Sequence, residues 1–66
     1  MKLTVNNEAV TTKATTVKGL LEEVLGDVPA GTAVAVDGNV VPKSQWDTHG
    51  LDEGARVDIL TAVQGG

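Results

Sequence analysis

Apolar and polar residues alternate with a period of two through Met1-Lys2-Leu3-Thr4-Val5-Asn6. That is the pattern of a strand buried on one face, with Met1, Leu3 and Val5 directed inward. Asn6-Asn7 is a turn signal, because Asn tolerates positive φ, and a second short strand is predicted over residues 9–12. The period then changes. Val17, Leu20, Leu21, Val24 and Leu25 recur at i, i+3, i+4, i+7 and i+8, one apolar stripe on a helix over residues 16–25. Thr15 or Thr16 can cap its start, and Gly26 stands where a left-handed C-terminal cap is wanted. Gly19 is a local flaw in this helix, costing about 1 kcal/mol relative to Ala. Pro29 and Gly31 mark the loop out. Residues 33–36 read as a third strand, Asp37-Gly38-Asn39 as a tight hairpin turn and Val40-Val41 as its return. Pro42 lacks an N–H, so that strand ends there or lies at a sheet edge. Residues 43–54 form a polar connection pinned by Trp46 and Leu51, with Gly50 and Gly54 as turn points. The longest strand is predicted over residues 55–63, with Val57 and Ile59 on one face.

The order strand, strand, helix, strand, strand, strand defines an α+β class. The expected architecture is a mixed sheet of four to five strands with one helix packed on one face. The first and last strands should lie adjacent and parallel at the centre, which is the ubiquitin-like β-grasp arrangement. Residues 1–63 are read as this domain, and residues 64–66 as a flexible Gly-Gly tail. A helix with one apolar stripe covers one sheet face and leaves the other open. If Val57 and Ile59 are core, then Leu60 and Ala62 lie on the open face, beside the end of the chain. Leu60, rimmed by Arg56 and Asp58, is then an exposed apolar side chain with little to do for stability, and a candidate anchor for a docking patch.

Length and composition narrow the function. A chain of 66 residues is one small domain, which excludes a two-domain enzyme with an interdomain cleft. It has no Cys and one His, so neither disulfides nor a metal cluster is expected to staple it. The net charge of −4, with the basic residues scattered singly, argues against nucleic acid as a partner. No apolar run approaches the roughly 20 residues of a membrane span, and no charged start precedes an apolar stretch. The expectation is a cytoplasmic protein, monomeric on its own.

Conventional catalysis finds little here. Ser44 has only His49 as a base, and a turn Ser with a surface His accounts for both. No glycine string of the phosphate-cradling kind is present. Glu22, Glu23, Asp27, Asp37, Asp47, Asp52, Glu53 and Asp58 have no metal-ligand spacing with His49, and solvated or turn-forming roles account for them. What remains is the ending. A Gly-Gly terminus arises by chance with a probability of roughly 0.5%, from an average Gly usage of about 7%. Without side chains, two such residues can thread a narrow channel. The reactive group would then be the α-carboxylate of Gly66. A carboxylate is a poor acyl donor until activated, so the chain would be a co-substrate for an enzyme and no enzyme itself.

The string Val40-Val41-Pro42-Lys43-Ser44-Gln45-Trp46 after an Asp-Gly turn resembles the V-P-x-x-x-W segment of the ThiS family of thiamine-biosynthesis sulfur carriers. The ending Thr61-Ala62-Val63-Gln64-Gly65-Gly66, the start from Met1 to Asn6 and the helix opening Thr16-Val17…Leu20-Leu21 are similar as well. The resemblance covers the whole chain; Gly19 departs from the strong helix former expected there. It implies that an E1-like, ThiF-type enzyme uses ATP to adenylate Gly66, with no cofactor bound to the chain itself. Sulfur from a cysteine-desulfurase persulfide then gives a thiocarboxylate, which a ThiG-type thiazole synthase consumes. In that picture Gly66 is catalytic in the sense of carrying the sulfur. Gly65, Gln64 and Val63 form the arm that reaches into both partners. The alternatives are the molybdopterin synthase small subunit, a ubiquitin-like protein modifier, and a binding module with an accidental Gly-Gly.

Overall fold

The computed structural model describes residues 1–61. The elements are β1 (Lys2–Val5), β2 (Glu8–Thr11), α1 (Val17–Leu25), β3 (Ala33–Val36), β4 (Asn39–Val41), a single 3-10 turn (Lys43–Gln45) and β5 (Arg56–Leu60). The sheet order is β2-β1-β5-β3-β4. β1 and β5 pair in parallel, and β1–β2, β3–β4 and β3–β5 are antiparallel. This is the expected β-grasp topology, with all five strands in one sheet.

Both hairpins turn on the residues that the sequence marks for it. Asn6 and Asn7 have φ of 50° and 68°, and Asp37 and Gly38 have φ of 50° and 85°. Two consecutive left-handed residues match the twist of the flanking strands, which is why Asn, Asp and Gly occupy these places. The Asp37 side chain is used twice over, since its Oδ1 also accepts the Arg56 N–H at 3.0 Å. β4 stops at Pro42 and lies at a sheet edge.

The core face gathers Leu3 and Val5 from β1, Val34 and Val36 from β3, and Val57 and Ile59 from β5. Val17, Leu20 and Leu21 of α1 pack onto them, and Trp46, Leu51 and Ala55 close the rim. Burial along the helix stripe declines toward its end: Leu25 is half-buried and Val24 is 44% exposed. Val24 thus departs from the buried stripe that the periodicity implies, although Leu25, one residue further along, still packs against the core.

The start of α1 is satisfied by the chain's own connection. A helix leaves its first N–H groups without intrahelical partners. Here the Val17 N–H donates to the His49 carbonyl at 3.1 Å and the Lys18 N–H to the Trp46 carbonyl at 2.9 Å. Thr16 is the cap, its Oγ1 accepting from the Gly19 N–H at 3.2 Å. At the other end Gly26 has φ of 71°, and its N–H donates to the Glu22 carbonyl at 2.9 Å. The connection is held in turn by the Trp46 indole, whose Nε1–H donates to the Val41 carbonyl at 2.9 Å. Trp46 therefore ties the end of β4 to the start of α1, and Gly50 bridges to Thr16 instead of serving only as a turn.

Two edges of the expected picture change. β2 begins one residue earlier than predicted, at Glu8, and Thr12 lies outside it, 2% exposed. Its Oγ1 accepts the Ala14 N–H and donates to Glu23 Oε2 at 2.7 Å. Glu23 is therefore a tie between helix and hairpin, where a solvated role was expected. β5 is shorter than predicted and ends at Leu60 because its partners end: Leu60 pairs with Ala33, the first residue of β3. Thr61 is exposed and outside the strand. The remainder of the predicted strand, Ala62 and Val63, lies outside the described residues.

Candidate functional site

The last strand occupies the middle of the sheet, between β1 and β3. Its alternation sorts the side chains by face. Val57 and Ile59 are buried against α1, while Arg56, Asp58 and Leu60 look the other way. Leu60 is 71% exposed, as the sequence suggests. Arg56 Nε and Asp58 Oδ2 approach to 3.9 Å, and the Arg56 guanidinium donates to Asn7 Oδ1 at 3.1 Å.

Strand order adds to this face residues that the sequence alone does not assign to it. Leu60 is opposite Ala33, Asp58 is opposite Ala35, and Ala35 is opposite Val40, which is 76% exposed. Leu60, Ala33, Ala35 and Val40 thus form a shallow apolar band across β5, β3 and β4, bounded by the Arg56–Asp58 pair. Nothing local in the sequence places β5 on the other side of β3, so the link between Val40 and Leu60 is visible only in the folded sheet.

Asn6 is the second residue whose role is visible only in three dimensions. Its Oδ1 accepts the Ile59 N–H at 2.7 Å and its Nδ2–H donates to the Ile59 carbonyl at 3.1 Å. This side chain holds the end of β5 where β1 has already turned away. Of the other site residues predicted from the sequence, Ala62, Val63, Gln64, Gly65 and Gly66 lie outside the described residues.

The remaining candidate chemistry is not assembled. Ser44 is exposed, and no hydrogen bond joins it to His49 among the described residues. No group of His, Asp and Glu that could hold a metal occurs among the described residues. No described helix is long and apolar enough to cross a membrane. A groove of about 480 Å³ on the helix side is lined by Lys18, Glu22, Lys43, Trp46 and Asp47 among others. Charges of both signs meet there, so it favours neither an anion nor a cation.

A five-stranded mixed sheet with parallel β1 and β5 at its centre and one helix across one face is that of a ubiquitin-like β-grasp protein. In such a fold the C-terminal residues follow directly from the central strand. The ThiS family model matches residues 2–66. The sequence is 33% identical over 67 positions to the sulfur carrier protein ThiS of Escherichia coli (strain K12), with all of both chains covered. The structure is similar to that of the thiamine biosynthesis protein ThiS from Geobacter metallireducens, with a TM-score of 0.81, 26% identity and full coverage of both chains. The chain belongs to the ThiS family of sulfur carriers.

Proposed function

We propose that this protein carries sulfur for the thiazole ring of thiamine as a thiocarboxylate on Gly66. The observation that carries the reading is the family match, which runs through Gly65-Gly66 and spans the whole of a curated sulfur carrier. The physical argument is that a chain without a nucleophile–base pair among its described residues acts through what a partner can activate.

A carboxylate oxygen of Gly66 attacks the α-phosphorus of ATP in the ThiF-type enzyme, and pyrophosphate leaves. The terminal sulfur of a persulfide, charged by a cysteine desulfurase, attacks the acyl carbon and expels AMP. The resulting acyl-disulfide is reduced by a second thiol, which is itself oxidised to a disulfide, and the thiocarboxylate is released. The ThiG-type synthase then takes the sulfur and returns the carboxylate. ATP belongs to the activating enzyme, and the setting is the cytoplasm. Gly65, Gln64 and Val63 form the arm that reaches into both partners, with Ala62 a partner contact beside Leu60. Leu60 anchors the docking patch together with Ala33, Ala35 and Val40, and the Arg56–Asp58 rim sets orientation and on-rate more than affinity.

Intact-mass spectrometry tests the reading after incubation with the ThiF-type enzyme, ATP and a persulfide source. The expected product is heavier by the difference between sulfur and oxygen. A ladder of protein conjugates would instead identify a modifier. Sulfur passed to a pterin acceptor and not to thiazole synthase would identify a molybdenum-cofactor carrier.

A further inference from the structure

The end of β5 is secured by a side chain standing in for a strand. The parallel ladder between β1 and β5 runs through the Thr4 N–H to the Ala55 carbonyl at 3.0 Å and the Asn6 N–H to the Val57 carbonyl at 2.9 Å. Its next rung should join the Ile59 N–H to the Asn6 carbonyl. The backbone cannot supply it, because Asn6 has φ of 50° and has already entered the β1–β2 turn. The Asn6 carboxamide takes that place, accepting from the Ile59 N–H and donating to the Ile59 carbonyl. It presents one acceptor and one donor, as a peptide unit does. One residue later Leu60 pairs with Ala33, the first residue of β3. These two contacts, one on each side of β5, define the point at which the chain leaves the sheet.

We propose that Asn6 is a positioning residue for the carrier: by fixing Ile59 it sets the point at which the chain leaves the sheet after Leu60. The inference rests on the carrier reading above. From Leu60 to Gly66 an extended chain spans at most about 20 Å. A loosened Ile59 frees the end of β5 and lengthens the segment that must be ordered before the carboxylate meets ATP, which lowers the fraction of productive docked complexes. Leu60 remains paired with Ala33 on the other side of β5, so the proposed docking face keeps its shape. The loss therefore falls on kcat, while the KM for the carrier protein stays.

The test compares wild type with Asn6→Gly, which keeps the left-handed turn and removes only the carboxamide. Amide hydrogen exchange at Ile59 is read against Val57 as internal reference, and pyrophosphate exchange is measured with the ThiF-type enzyme. Ile59 exchange is expected to accelerate at least about tenfold relative to Val57. kcat is expected to fall by on the order of tenfold, with KM changed by less than about twofold. Asn6→Asp keeps the acceptor for the Ile59 N–H and loses the donor. Its second oxygen then faces the Ile59 carbonyl with no proton between them, so it too should speed Ile59 exchange and lower kcat, and it carries the comparison if Asn6→Gly does not fold. Faster Ile59 exchange with wild-type kcat overturns the proposal and leaves the contact purely structural, as does unchanged exchange. A kcat loss accompanied by an equal rise in KM overturns it too. A wild-type protein that the enzyme does not adenylate overturns the carrier reading itself, a result distinct from equality between variant and wild type.

Discussion

Leu60 and Ala33 face each other across β5 and β3, on the side of the sheet that α1 does not cover. Leu60 is 71% exposed, so its burial contributes little to folding. Leu60→Glu should shift the melting temperature by no more than about 3 °C. The KM for adenylation should rise by on the order of tenfold, because the substitution puts a charge on the proposed anchor of the docking band. Ile59→Ala, one residue away but on the core face, should cost about 2–5 kcal/mol through the cavity it leaves. An unfolded Leu60→Glu protein would mean that Leu60 belongs to the core face, and a folded one with normal kinetics would show that docking lies elsewhere.

Thr12→Val tests the tie between hairpin and helix. The substitution preserves shape but removes both the hydrogen bond to Glu23 and the acceptor for the Ala14 N–H. At a site that is 2% exposed, the expected cost is about 1–3 kcal/mol. It should be read as a lower urea midpoint with an unchanged slope. An unaltered midpoint would mean that water replaces Thr12 without penalty.

Gly19→Ala should stabilise the protein. A Cβ at this position would sit 3.4 Å from Ala14 Cβ and from Thr16 Oγ1, which is contact without overlap, and no positive φ requires a glycine. The gain in helix propensity is up to about 1 kcal/mol, or roughly 4–8 °C in a domain of this size. A lower melting temperature would show that crowding of the Thr16 cap outweighs it.

These variants also mark where the sequence was readable. The elements with a local cause were legible: Asn6-Asn7 and Asp37-Gly38 as left-handed turns, Thr16 and Gly26 as caps, and the Val17, Leu20 and Leu21 stripe. So was the exposed side of Leu60, because period-two alternation needs no partner strand. What was hidden depends on neighbours distant in the chain. β5 ends at Leu60 for want of partners, although its own residues favour continuing. Glu23 meets Thr12, Val40 joins the open band and Asn6 completes a rung beside Ile59 only after the chain has folded.

Gly65→Ala should slow adenylation and Gly65→Val should slow it much more, with the circular dichroism spectrum and melting temperature unchanged. A Cβ widens the arm, and branching at it widens the arm further while disfavouring positive φ. Equal turnover of Gly65→Val and wild type would remove the threading arm and leave only the carboxylate.

The central claim is that the sulfur resides on the carboxyl group of Gly66. Fragmentation mass spectrometry of the protein recovered from the complete reaction tests it most directly, alongside a variant bearing one extra residue after Gly66. The account predicts that the sulfur-for-oxygen mass difference appears only in fragments containing Gly66, and that the extended variant acquires none while keeping its fold. Sulfur located elsewhere in the chain, or acquired by the extended protein without trimming, would contradict it.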